Sequence, residues 1–492
     1  MDAISLKKYR ESLTARNKDY IRNNAYYLGK NPVILKDVKK DKYGFIEDQD
    51  RRIPLPIARK MINTLAGFQF SNIQYKETGR ALSMEANFKN LLTLAKKEID
   101  VKEETDYFKY FKTINEHNDN DILDLETAIS ACNHGRAYKI YYFSTDGMIK
   151  CDVIPANEIE PVYTNTLNPM MEKAIRYNSE KVVDAAGKET DIYYATVYTK
   201  TGVEYWIAKN SDYSDAKINP DKPAEIYKTK NIPEKMHVIE YNIFRDKTPL
   251  VAHLYGMIDE IDRVISKNIG EELAGFKAAI LKVSFQLQDM YRDEQGLTEM
   301  DRFKKTNILP GMTKDDIAEW LTKEMPDSFI FGAYDRLKKD LFEYADIPNF
   351  GDAESWGNTI SGVSAAYRLL GFMFLGKQTF RIWTEGKRLE IDLVNSYAPL
   401  VAGGASILNT MNELTILSQS VLPKNILENA QIAGMLKDIV PDSDLIKMFP
   451  EIVTDEKGAL EELEEQREKS TNRLMNGLME TTKEEPEESE DD

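Results

Sequence analysis

The sequence predicts an α+β chain, mainly α, with a β-rich middle section set between two helical blocks. Three observations predict it. Apolar residues recur at spacings of three and four through the first 110 residues, the period changes to two from Ala137, and a long helical stripe begins after Pro249.

In order, residues 5–28 read as a polar, Arg/Lys-rich helix ending in Tyr26-Tyr27-Leu28 and stopped by Gly29 and Pro32. The stretch Ile53 to Phe70, opened by Pro54 and Pro56, puts Ile57, Met61, Leu65 and Phe68 on one helix face. Ala81 to Lys97 predicts a third helix. From Ala137, Tyr138, Ile140 and Tyr142 alternate with Lys139 and Tyr141. Asp146-Gly147 supplies a turn, and Ile149, Cys151 and Val153 resume the alternation, as in a hairpin. Strand-like runs follow at Ala174 to Tyr177, Asp191 to Tyr198, Val203 to Ala208 and His237 to Phe244. After Pro249, Leu254, Met257, Ile258, Ile261, Val264, Ile265 and Ile269 form a helical stripe, with Asp259, Glu260, Asp262 and Arg263 off it. A mixed insert then offers a strand at Ala279 to Leu287 and a helix at Asp315 to Lys323. A helix at Phe329 to Ala345, a breaker-rich loop from Pro348 to Asn358, a long helix over 360–396 and further helices over 405–469 complete the chain.

Composition narrows the function classes. The 492 residues carry 65 Lys+Arg against 82 Asp+Glu, a net charge of −17, and 42% are hydrophobic. That is globular composition, with length for two to four units at roughly 100–200 residues each. No run of about 18 apolar residues free of charge occurs, so no membrane span is expected; Arg368 interrupts the most apolar segment, Val363 to Leu375. The N-terminus has no hydrophobic signal core. Cys132 and Cys151 are the two cysteines, which excludes a disulfide framework, and with four histidines they leave little material for a metal site. Residues 455–492 hold fifteen carboxylates against five basic residues, and residues 470–492 read as a disordered acidic tail. A basic surface that grips nucleic acid is excluded, whereas DNA passing without being held is compatible with the charge.

Catalytic motifs reduce to decoys, so no enzyme activity, cofactor or metal is expected. Gly371 to Gln378 nearly matches a phosphate-binding loop. However, Gln378 replaces the magnesium-binding hydroxyl and the segment continues the helical spacing of Val363, Tyr367, Leu370 and Phe374. His134-Gly135-Arg136 lacks a nearby nucleophile and reads as a structural turn. Asp119, Asp121 and Asp124 lack the glycine and terminal Glu of a calcium loop.

Pieces distributed in order along the chain resemble the portal proteins of tailed bacteriophages, in the siphophage branch of Gram-positive hosts. They are Tyr26-Tyr27-Leu28-Gly29-Lys30-Asn31-Pro32-Val33-Ile34, the helix from Ala58 to Phe68, Gly135-Arg136-Ala137-Tyr138, and Ile154-Pro155-Ala156-Asn157-Glu158-Ile159. The strongest are Asp335 to Phe342, Ile347-Pro348-Asn349 and Asn358 to Val363. The resemblance spans roughly residues 10–465; Phe70-Ser71-Asn72-Ile73 departs from it, where the family commonly shows Gly and Pro.

The resemblance implies a homo-oligomeric, dodecameric ring at one capsid vertex of the virion, assembled in the host cytoplasm. Double-stranded DNA would be pumped in through its channel, without sequence specificity, and later ejected by the same route. Implied partners are the terminase large subunit, the major capsid and scaffolding proteins and a head-completion adaptor. By segment, the resemblance assigns 1–250 to a wing, 251–275 and 327–346 to paired stem helices, and 276–326 to a clip. It assigns 347–361 to a tunnel loop, 362–396 to a long helix at the wing/crown junction, and 397–469 to a crown.

A carboxylate-lined channel would repel phosphates instead of holding them. Candidates to face it are Asp259, Glu260 and Asp262 on the first stem helix. In the loop they are Asn349, Phe350, Gly351, Asp352, Glu354, Ser355, Trp356, Gly357 and Asn358. Two other readings stay open here: a non-channel capsid scaffold or minor head protein, and a nucleotide hydrolase built on Gly371 to Gln378.

Overall fold

The computed structural model describes residues 1–36, 52–81, 105–144, 148–183, 187, 189–277, 280–283, 318–321, 327–351, 367–401, 403–418 and isolated positions beyond. The chain divides into two compact units, residues 1–356 with 369–420, and 357–368 with 421–492. The architecture below belongs to the first.

Helix α1 (Ala3–Tyr27) starts at Asp2, whose carboxylate accepts from Ser5 N at 2.9 Å, and ends before Gly29 at φ +66°. Its buried side is drawn out along its length. Leu6 and Leu13 pack on Ile175, Tyr177, Val197 and Trp206, Tyr20 joins Tyr138 and Ile154, and Tyr26 stacks on Tyr255 at 4.0 Å. Helix α2 (Ile57–Phe70) buries Met61, Ile62, Leu65 and Phe70. Strand β1 (Ile73–Ala81) follows directly.

Helix α3 (Asp106–His117), capped by Thr105, and α4 (Asn120–His134) form a tight pair around Asp119, which takes a left-handed φ of +48°. Gly135 ends α4 at φ +76°, and a Cβ there would lie 1.9 Å from the carbonyl oxygen of Lys247, so only glycine fits.

Strands β2 (Ala137–Phe143) and β3 (Ile149–Ile154) pair antiparallel with Tyr138 opposite Ile154, and β10 (Val238–Tyr241) takes β2's other edge. The proposed turn residues Asp146-Gly147 lie outside the described residues. A second antiparallel sheet runs β4 (Ile159–Tyr163), β5 (Met171–Val183), β6 (Glu189–Thr199), β7 (Gly202–Ala208) and β8 (Lys217–Ile218), with β9 (Glu225–Ile226) also on β7.

Helix α5 (Tyr255–Lys277) packs against α6 (Asp327–Tyr344), and between them in sequence β11 (Ile280–Val283) pairs antiparallel with β12 (Ala318–Leu321). Helix α7 (Leu370–Tyr397) packs on α2 and β10; it buries Trp383 completely between Phe70 and Tyr241, worth about 1.5–3 kcal/mol as a large apolar side chain. Helix α8 (Gly404–Asn409) leads to β13 (Asn412–Ser418), which pairs antiparallel with β1.

The mixed helix and strand content agrees with an α+β chain, with three local differences. Within the helix expected over Asp315 to Lys323, residues 318–321 are strand β12, because pairing with β11, Leu281 in register with Trp320, overrides a weak helical preference. Within the helical run expected over 405–469, residues 412–418 are a strand, supplied with a partner by β1, which the sequence pattern did not suggest. Lys139, expected on an open face, is fully buried, since β2 is covered on both sides. Of the helix expected at Ala81 to Lys97, Ala81 ends strand β1 and residues 82–97 lie outside the described residues, as does the start of the long helix before residue 367.

Candidate functional site

The α5–α6 pair carries the first set of candidate residues. Asp262 is fully buried, where its carboxylate accepts from Asn31 Nδ2 at 2.8 Å and from the Leu55 backbone N–H at 3.0 Å. Burial raises its carboxyl above the usual range, and the Asn31 and Leu55 bonds work against that. Asp259 is half-buried and accepts from Tyr26 Oη at 2.8 Å and Asn31 Nδ2 at 2.9 Å. Glu260 alone of the three is exposed, paired with Arg263 one turn on.

The expectation that Asp262 faces a channel is therefore corrected. Asp262 follows Ile258 by one turn and stands beside Ile261 on the buried side of α5. There it fastens the segments around Asn31 and Leu55 instead of meeting solvent. The sequence signal was ambiguous, since a carboxylate beside an apolar stripe reads as solvated unless its donors are known.

In the loop, Asn349 Oδ1 accepts from Lys60 Nζ at 3.0 Å, Phe350 is more than half exposed, and Gly351 N points to Asn349 Oδ1 at 3.4 Å. Asp352, Glu354, Ser355, Trp356, Gly357 and Asn358 lie outside the described residues.

The decoy motifs resolve as structure. Gly371 to Gln378 lies in the opening turns of α7, where the Met373 N–H is already bonded to Leu369 O. A converging nest of free amides for phosphate is thus missing from this segment. His134 packs edge-on against Tyr20 at 5.1 Å, and burial pushes its imidazole down to about 4. Among the described residues no His, Cys, Asp and Glu cluster is arranged to hold a metal ion. Nor is any described helix long and apolar enough to cross a membrane.

The most highly charged buried site is one that the sequence did not disclose. Asp124 of α4, Lys139 of β2, and Lys387 and Glu390 of α7 meet with almost no solvent exposure. Lys387 Nζ lies 2.8 Å from Asp124 Oδ1 and 2.6 Å from Glu390 Oε1; Lys139 pairs with Asp124 and lies 3.7 Å from Glu390. Tyr241 Oη donates to Glu390. Burial opposes every one of these charges, yet the two lysines outweigh it and hold the Glu390 carboxyl down at about 2. The carboxylates likewise raise both lysines. A Lys and a Glu three residues apart on a helix, such as 387 and 390, was the available signal, but it ordinarily marks an exposed pair.

No curated protein matches the chain. A family model described as phage portal protein, SPP1 Gp6-like, matches residues 6–473.

Proposed function

This chain belongs to the SPP1 Gp6-like phage portal proteins, and from that premise we propose that it closes into a dodecameric ring around a DNA channel at one capsid vertex. Double-stranded DNA passes through the ring during packaging by a terminase motor and again on ejection. Terminase, the capsid and scaffolding proteins and a head-completion protein dock on the ring's outer surfaces, and assembly takes place in the host cytoplasm.

The observation that carries this reading is the family match, which runs along nearly the whole chain instead of one motif. Its structural counterpart is the helix–ribbon–helix unit of α5, β11, β12 and α6, which suits stem helices bearing a small clip between them. In this scheme 1–250 forms the wing, 251–275 and 327–346 the stem, 276–326 the clip, and 347–361 the tunnel loop. Residues 362–396 form the junction helix. Residues 397–469 form the crown in this scheme.

Of the stem carboxylates, the exposed Glu260 is the one whose exposure supports a channel-facing role, with Asp259 half-covered beside it. Loop residues 349–358 contact the passing duplex in this reading. Images of the purified assembly viewed down its axis test the proposal. A closed ring with an opening wide enough for a duplex is expected, and a monomer at high concentration, or a solid particle, would overturn it.

A further inference from the structure

Between β1 and the α3–α4 pair lies a cavity of about 870 Å³ that no stem or loop residue lines. Its walls combine two kinds of surface. Tyr75, Phe108 and Phe111 give an apolar side, and Glu116, Asp119 and Asp121 give an acidic one, offset by Lys112 alone. None of these three carboxylates forms an ion pair among the described residues.

Two buried polar atoms in the wall have no hydrogen-bond partner among the described residues. Asn120 is 3% exposed; its Nδ2 donates to Asn115 Oδ1 and Tyr141 Oη, while its Oδ1 has no partner. The buried Tyr75 hydroxyl is likewise unpartnered. The exposed carboxylates Glu116, Asp119 and Asp121 beside the apolar Tyr75, Phe108 and Phe111 suit a ligand that brings positive charge on an apolar stem. A guanidinium or ammonium on an apolar stem has both parts.

The chain carries such groups elsewhere. Along the outer edge of α7, Lys377, Arg381 and Arg388 are exposed, and none forms an ion pair among the described residues. Leu370 and Phe374, 42% and 59% exposed, continue the same edge at helical spacing. Lys387, on the inner side of α7, reaches Asp124, which itself lines the cavity. The basic edge and the acidic cavity thus lie on different sides of one packed layer, and one subunit cannot bring them together.

A closed ring joins unlike faces of successive subunits. We propose that the cavity of one subunit receives the basic edge of α7 from a second copy, with Arg381 among Glu116, Asp119 and Asp121 and Phe374 on the apolar wall. This rests on the ring reading above.

Charge reversal tests it. Two variants, K377E/R381E and D119K/D121K, change exposed residues, so each is expected to keep the wild-type circular dichroism spectrum, the second with a modestly lower melting temperature, while losing the ring in light scattering. Mixed in equal amounts they are expected to recover rings, because each variant's α7 edge then matches the other's cavity. Combining all four changes in one chain is expected to do the same. Wild-type rings from either variant alone would overturn the pairing and leave the ring reading intact, as would loss of rings with no recovery on mixing. Failure of the unaltered protein to form rings would overturn both.

Discussion

Lys387 of α7 and Asp124 of α4 meet at 2.8 Å with almost no solvent access, so two helices far apart in sequence are joined by a buried ion pair. Lys139 and Glu390 complete the cluster with charges that balance. A cluster of this kind resists the loss of one member more than it adds by its presence, because the survivor is a buried, uncompensated charge.

Lys387→Met should accordingly destabilise the subunit by about 3–5 kcal/mol. Adding Glu390→Gln, which restores charge balance and keeps an acceptor for Tyr241, should recover much of that. Denaturant unfolding reads both, and a single variant within about 0.5 kcal/mol of wild type would show that the cluster does not hold α7 in place.

Acid should weaken the fold in two stages. His134, held down at about 4 from 6.5 by burial, stays neutral in the folded state while the unfolded chain takes up a proton. Its contribution is complete above pH 6.5 and is lost as the pH falls toward 4. Glu390 is held at about 2 against an ordinary 4.5, so its contribution is present above 4.5 and disappears as the pH falls through the lower value. His134→Phe should flatten the upper stage and Glu390→Gln the lower one in unfolding midpoints measured against pH.

Gly135→Ala should cost at least about 3 kcal/mol, combining a left-handed φ with overlap on the Lys247 carbonyl. Gly187 is the control. Its φ is +77° but a Cβ there meets nothing within 4 Å, so Gly187→Ala should cost only about 1–2 kcal/mol. Equal melting shifts for the two would mean that the close approach to Lys247 is unimportant.

Two neighbouring carboxylates on α5 should separate stability from transport. Asp262→Ala strands Asn31 Nδ2 and the Leu55 N–H and should destabilise the subunit by about 1–3 kcal/mol per orphaned group. Glu260→Lys should leave melting nearly unchanged and slow DNA packaging in a reconstituted assay. Normal packaging by that variant would remove Glu260 from the channel wall.

Cys132 and Cys151 are both buried, and burial pushes each thiol up to about 12. Neither should react with an aromatic disulfide reagent at pH 8 in the folded protein, whereas both should react at once in denaturant. Rapid native labelling of either would contradict its placement.

Much of the scaffold is legible from residue spacing. Alternation near Tyr138 locates the hairpin, and the stripe through Leu254, Ile258 and Ile261 locates α5. What escapes is whatever depends on a distant partner. Asp262 reads as solvated until Asn31 and Leu55 are seen to donate to it, and Lys139 reads as outward until α4 and α7 are found covering its strand. Residues 412–418 become a strand because β1 is waiting for them, which local preference does not encode.

That last pairing has a consequence in time. Asn412 and Glu77 are hydrogen-bonded across 335 positions, so a chain still emerging from the ribosome has β1 but nothing to zip it against. Ile73 and Tyr75, which form one side of the cavity against α3 and α4, are set only when the far strand arrives. A polypeptide that stops before Asn412 therefore leaves β1 without its partner strand, and the wall that Ile73 and Tyr75 build stays unfinished.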